Sequence, residues 1–226
     1  MKKIAINFLA VLFISALSLT KAFAVDFTLG VSGAIANLQA DGSETETGAV
    51  SAETTNKSVS NTFATGSIFA EAKFDRFAFG VDYIPMDADV SDATHTRTDT
   101  ETSVTGNQKA VSTSRTQTAA AEVSDHVTIY ANYYMNDNIY LHLGYASVDV
   151  VTNESLDTGS SYGDASINGI QYGIGLQMTD NLRLEAAYTD YDNVSITSSE
   201  ARTGVTVNNK VSADLDTTQL KLSYHF

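Results

Sequence analysis

The chain has no cysteine, so no disulfide can staple it in an oxidising compartment. It has one proline, Pro85. Basic residues are scarce, 13 against 27 acidic, for a formal charge of −14. A nucleic-acid partner needs a basic footprint to neutralise phosphates, and this chain has none to offer. Beyond Ala24 there is no apolar run long enough to cross a bilayer as a helix. If that part enters a membrane, it has to do so as a closed β-barrel, because lipid offers nothing to satisfy an unpaired backbone group.

Residues 1–24 have the three parts of a secretory signal peptide. Lys2 and Lys3 give a positive start, Ile4 to Leu19 an apolar run, and Ala22-Phe23-Ala24 an A-x-A cleavage box. Cleavage would leave a mature chain starting at Val25. It would take three of the 13 basic residues and none of the 27 acidic ones, moving the formal charge from −14 to −17. Residues 25–226 are of one-domain size.

What those residues do contain is alternation. The last stretch shows it best: Leu220, Leu222, Tyr224 and Phe226 fall on one face, and Gln219, Lys221, Ser223 and His225 on the other. A period of two means a strand with unlike faces. Seven further stretches behave alike, with apolar faces Phe27–Ile35, Ile68–Phe74, Phe77–Tyr83, Val127–Tyr133, Ile139–Tyr145, Ile170–Met178 and Leu182–Tyr188. Their connections alternate between short and long. Asp75-Arg76, Asn136-Asp137-Asn138 and Thr179-Asp180-Asn181 are tight turns, and Asn138 and Asn181 suit the left-handed conformation that a three-residue hairpin loop wants. The others, roughly 38–62, 87–122, 151–166 and 195–213, are long and rich in Ser, Thr, Asp and Gly. Pairing the inner strand ends (27 with 74, 77 with 135, 139 with 178, 182 with 226) puts hairpin tips beside Gly48, Gly106, Gly159 and Gly204, where glycine reaches positive φ without strain. These segments are then either standing hairpins or polar chain without structure of its own.

Volume decides which face points in. Eight strands enclose an interior barely wide enough for side chains. The apolar faces carry too many Phe, Tyr, Leu, Ile and Met side chains to fit there, while the opposing faces are rich in Gly, Ala, Ser and Thr. The apolar faces therefore look outward to lipid. Aromatics cluster at both of their ends: Phe27, Phe74, Phe77, Tyr133, Tyr224 and Phe226 beside the short turns, and Tyr83, Tyr145, Tyr172 and Tyr188 beside the long connections. Two such girdles are expected where a barrel crosses the two interfaces of a membrane.

With this pattern, the Asp-Asn turn followed by Leu182-Arg183-Leu184-Glu185-Ala186-Ala187-Tyr188, and the terminal Phe226, the chain resembles the eight-stranded outer-membrane β-barrel family, which includes the OmpA transmembrane domain, OmpX, Ail and opacity proteins. The resemblance covers residues 25–226. It implies an all-β, antiparallel, up-and-down transmembrane barrel in the outer membrane of a Gram-negative bacterium, with short periplasmic turns, both termini periplasmic, and a monomeric state. It also implies that Leu220, Leu222, Tyr224 and Phe226 are an assembly signal read by the barrel-assembly machinery after passage with periplasmic chaperones. No peptidoglycan-binding domain of the OmpA kind follows the barrel in this sequence.

The inward faces carry six charges, Glu71, Lys73, Asp82, Arg183, Glu185 and Lys221, three of each sign, with His142 and His225 nearby. Charges in a low-dielectric interior must be paired and hydrogen-bonded. Two roles fit: a salt-bridge network that plugs the barrel, or a gate in a narrow pore for ions or small solutes. Catalysis has little to stand on. His95 lies in a long connection, His126 follows Asp125 near the end of a strand, no G-x-S-x-G surrounds a serine, and the four histidines show no metal-ligand spacing. No cofactor or metal is expected. The long connections hold most of the acid, including Asp41, Glu44, Glu46, Glu53, Asp87, Asp89, Asp92, Asp99, Glu101, Glu154, Asp157, Asp164 and Glu200, which is either a solvated, self-repelling surface or one for adhesion and lipopolysaccharide contact.

Overall fold

The computed structural model describes residues 25–47, 52–90, 95–104, 110–155, 161–201 and 208–226. The proposed signal peptide and the tip glycines Gly48, Gly106, Gly159 and Gly204 lie outside the described residues, as do Asp92 and Asp157. The strands are β1 (Asp26–Thr47), β2 (Ala52–Phe74), β3 (Phe77–Ile84), β4 (Ala88–Asp89), β5 (His95–Val104), β6 (Ala110–Tyr134), β7 (Ile139–Ser155), β8 (Ala165–Gln177), β9 (Leu182–Tyr191), β10 (Val194–Ala201) and β11 (Asn208–His225). Eight of them, β1, β2, β3, β6, β7, β8, β9 and β11, form an antiparallel ring in chain order. β1 closes it on β11 from Gly30 opposite His225 to Thr45 opposite Lys210, and Phe226 N–H donates to the Leu29 carbonyl at 2.9 Å. β4 and β5 extend the third stave along β6, and β10 runs along β11.

Much of the long polar stretches is strand. β1 runs to Thr47, and β2 returns from Ala52 in unbroken register with it. Each long hairpin is staggered by two residues from the pairing that level strand ends suggest. Phe27 faces Ala72, Phe77 faces Tyr133, Ile139 faces Leu176 and Leu182 faces Tyr224. Strands in a closed barrel tilt, so hairpin partners slide past each other, and a slide of two keeps every side chain on its face.

The short turns differ from expectation in one respect. Asp75 is left-handed, with φ of 53°, but Asn138 and Asn181 are not among the positive-φ residues. They act through their side chains. Asn138 Nδ2 donates to the Gln177 carbonyl, and Asn181 Nδ2 to the His225 carbonyl, each tying its turn to the neighbouring stave. Asn136 Oδ1 accepts from the backbone N–H groups of Asn138 and Ile139, and this bridge replaces the left-handed residue in closing the loop.

The apolar faces point outward. Leu143 is 60% exposed, Ile174 52% and Leu222 47%, while Glu71 and Arg183 are 3% and 5% exposed. The outward run from Phe27 to Ile35, at ~3.3 Å per residue and a tilt of about 40°, is roughly 20 Å tall. The aromatics border it at both ends, with Phe77 against Tyr133 on one rim and Tyr172 against Tyr188 on the other.

Space inside comes from pairing glycines with rings. Gly30 lies directly across from Phe69, Gly80 from Tyr130 and Gly175 from Tyr140. Each ring fills the volume that a Cβ on its glycine would take. That is how a lumen of this width holds three aromatic side chains at these levels.

Beyond the outward apolar band the two faces exchange character. On β1 the outward residues become Asn37, Gln39 and Asp41, and the inward ones Ala36, Leu38 and Ala40. On β11 Asp214 and Asp216 point out while Leu215 is buried, and on β7 Val148 and Val150 are buried inside. A one-residue bulge between Ser124 and Val127 turns Val123 and Ala121 inward on β6 as well. Leu38, Val90, Val148, Val150, Ile167, Tyr191, Val194 and Leu215 then pack as an apolar core inside the raised part of the barrel. Where lipid ends, water lies outside, so apolar side chains gain by turning inward.

Candidate functional site in the charged lumen

The inward faces of β2, β3, β9 and β11 bring the charges together. The Arg183 guanidinium makes a two-pronged contact with Glu71, from Nη1 to Oε2 at 2.9 Å and from Nη2 to Oε1 at 2.7 Å. Its Nε donates to Gln177 Oε1 at 2.8 Å. Glu71 Oε2 also accepts from Tyr130 Oη at 3.2 Å and Asn132 Nδ2 at 3.1 Å. A second group centres on Lys221. Its Nζ donates to Asp82 Oδ2 at 3.1 Å and forms an ion pair with Glu185 Oε1 at 3.0 Å. Glu185 Oε2 accepts from Tyr140 Oη at 3.0 Å. Paired and bridged in this way, buried charges recover the hydration they lost.

His142 links the two groups. Its Nδ1 lies 2.8 Å from Asn132 Oδ1 and 3.4 Å from Glu185 Oε2, and its Nε2 lies 2.8 Å from Gln171 Oε1. The Asn132 amide nitrogen is committed to the Glu71 carboxylate, which only accepts, so Asn132 presents its oxygen to His142 and Nδ1–H donates. Lys73 stands apart from the ion pairs. Its ammonium sits 4.0 Å from the Tyr134 ring centre, a cation–π contact. His225 packs edge-on against Phe69 with its Nε2 buried and unpartnered. Of the eight residues expected to form the network, Glu71, Asp82, Arg183, Glu185, Lys221 and His142 therefore meet directly or through one side chain, while Lys73 and His225 line its edges.

The sequence reading missed the neutral members: Tyr130, Asn132, Tyr134, Tyr140, Gln171 and Gln177. All but Gln171 and Gln177 lie on β6 and β7, and all six sit on faces already assigned inward. Reading those faces for hydrogen-bonding capacity as well as charge would have found them. Asp125 and His126, adjacent in sequence, do not act together. Asp125 Oδ1 accepts from Tyr83 Oη, while His126 turns inward to the Tyr191 hydroxyl at 3.1 Å. His126 lies just beyond the outward apolar band, and burial pushes its pKa down to about 4. His95 opens β5 in the raised part.

Above Lys221 and Asp82 lies a void of about 10 Å³, lined by Ser32, Ser67, Thr128, Gln171 and Gln219 among others, room for about one water. Asp82 Oδ1 is buried beside it without a protein partner.

No protein-family model and no curated relative matches the sequence. Solved structures do. OprG of Pseudomonas aeruginosa is similar over 88% of this chain and 95% of its own, at 10% identity and a TM-score of 0.52. The chain has the fold of the eight-stranded outer-membrane β-barrels. Ail, the attachment invasion locus protein of Yersinia pestis, is matched over 87% of this chain and 99% of its own, at 13% identity and a TM-score of 0.37. Neisserial surface protein A is matched over 85% and 96%, at 13% identity and 0.36. At 10% identity the likeness to OprG speaks for architecture alone.

Proposed function

We propose that the protein is a monomeric, integral outer-membrane barrel with a structural and surface-display role. Its lumen is plugged by the charge network, and both termini and the short turns face the periplasm. One observation carries this reading: Arg183, Glu71, Lys221, Asp82 and Glu185 are buried and joined across the lumen by Tyr130, Tyr140, Asn132 and His142. A lumen filled in this way gives hydrated ions no continuous path. The raised strands carry the display surface. Their outward acids, such as Asp41 opposite Asp214 and Asp216 opposite Asp190, give it negative charge suited to contact with lipopolysaccharide through divalent cations, or with other cells and host factors. During biogenesis the outward Leu220, Leu222, Tyr224 and Phe226 serve as the strand read by the barrel-assembly machinery, after delivery by periplasmic chaperones.

The second reading is a narrow pore for ions or small solutes. The water-sized void over Lys221 and Asp82 favours it, because a solvated ion pair could act as a gate. Planar-bilayer recording on purified protein separates the two. Plugged barrels give no discrete conductance steps. Reproducible steps from the unmodified protein would overturn the plug and leave the pore.

A further inference from the structure

The apolar core of the raised barrel is not solid. It holds a cavity of about 50 Å³, bordered by Leu38, Phe63, Ile84, Met86, Val148 and Leu215. One water needs ~10–15 Å³ by this measure, so the space has room for about three to five waters or a small organic molecule of similar bulk. Among the described residues no Asp, Glu, Lys or Arg lines it. Its floor is polar but neutral: His126 and Tyr191 are engaged with each other, and Thr65 Oγ1 is buried with no hydrogen-bond partner.

The wall beside this cavity is incomplete. β2 pairs with β3 only from Ile68–Tyr83 to Phe74–Phe77. β2 continues to Ala52, and among the described residues no strand pairs with its upper length on that side. The cause is local. β3 ends at Ile84, Pro85 supplies no N–H for a ladder, and beyond it the chain keeps to β6, rejoining it at Ala88, without pairing with β2. The seam is bridged by Asn61 Nδ2 donating to the Asp89 carbonyl. Met86 stands exposed at the seam and also borders the cavity.

We propose that this cavity binds a small, uncharged, mostly apolar molecule carrying one hydroxyl or carbonyl oxygen, admitted through the seam between β2 and the Ile84–Ala88 segment. The apolar body lies among Leu38, Phe63, Met86 and Leu215, and the oxygen meets Thr65 Oγ1. Water in such a space is poorly held, because most of its neighbours neither donate nor accept hydrogen bonds. A molecule that displaces it gains apolar contact and gives Thr65 the partner it lacks. A charged ligand would leave its charge buried and unpaired.

Phenol, with seven heavy atoms, is a suitable probe, and benzoate is its charged control. The folded protein in detergent micelles, carrying methyl-labelled methionine, has a built-in reference. Met86 reports the cavity, whereas Met135 and Met178 lie at the short-turn end. The expected result is a saturable shift of the Met86 methyl with phenol, none with benzoate, and no saturable change at Met135 or Met178. Ala88→Leu, whose added atoms occupy part of the cavity that Ala88 lines, raises the half-saturation concentration at least about tenfold. Thr65→Val, of nearly the same shape, weakens phenol about three- to tenfold, as loss of one hydrogen bond would. A Met86 shift that grows linearly in step with Met135 and Met178 is partitioning into detergent and overturns the site. So does unchanged binding in Ala88→Leu, and unchanged phenol affinity in Thr65→Val overturns the anchor.

Discussion

The pair between Arg183 and Glu71 gives the most direct test of the plugged lumen. Replacing Arg183 by Met leaves the Glu71 carboxylate buried with Tyr130 at 3.2 Å and Asn132 at 3.1 Å as its remaining donors among the described residues. Stranding one member of a buried ion pair costs about 3–5 kcal/mol. Replacing Glu71 by Met leaves the guanidinium bonded to Gln177 and 5.7–5.9 Å from the Tyr140 and Tyr134 ring centres, so its loss is smaller, about 2–4 kcal/mol. The double variant leaves no charge stranded and fills the space with apolar volume, which often costs little. The singles then overshoot the double by about 3 kcal/mol or more. Equilibrium urea unfolding in lipid vesicles, followed by the different gel mobility of folded and boiled protein, measures all four corners of the cycle. Raising the salt to about 1 M should leave the coupling nearly unchanged, because ions do not reach a buried pair. Additivity within about 0.5 kcal/mol would show that the two charges do not depend on each other, and the plug as described would fail.

Orientation and topology are open to independent tests. Ile174→Arg places a charge in the middle of the outward apolar band, and unfolding from vesicles should show a loss of about 2–4 kcal/mol; a neutral result would mean that this face meets water. Because the natural chain has no cysteine, single ones report topology without background. In intact cells, a polyethylene-glycol maleimide too large to cross the outer membrane should label Ser58→Cys on the raised part of β2. It should reach Asp137→Cys, in a short turn, only after that membrane is permeabilised, and the reverse pattern would invert the proposed orientation.

Much of this barrel is legible along the chain because the deciding contacts are local. Ile174 faces out and Gly175 in through the pleat alone, whatever strands flank them. The short turns sit where Asp75-Arg76 and the two Asn-bearing loops place them, although Asn138 and Asn181 serve through side-chain hydrogen bonds to adjacent staves that a turn-type rule does not contain. The raised part was harder to read. Ala36, Leu38 and Ala40 still alternate with Asn37, Gln39 and Asp41, but the outward Ser, Thr and Asp of such stretches give them the composition of loops. The exchange of apolar character from outside to inside, visible within β1 between Ile35 and Leu38, was the available signal.

The sequence by itself determined the strands, their inward and outward faces, and the set of side chains consigned to the lumen, since each follows from a period of two and from how little eight strands can enclose. Only the tertiary structure decided which charge meets which. Arg183 and Glu71 are 112 residues apart and Lys221 and Asp82 139 apart, and no local pattern pairs them. It also decided the two-residue stagger of the hairpins, the rings laid over their glycines, and the seam beside Pro85. These depend on strand tilt and ring closure, which belong to the whole barrel and to no single stretch of chain.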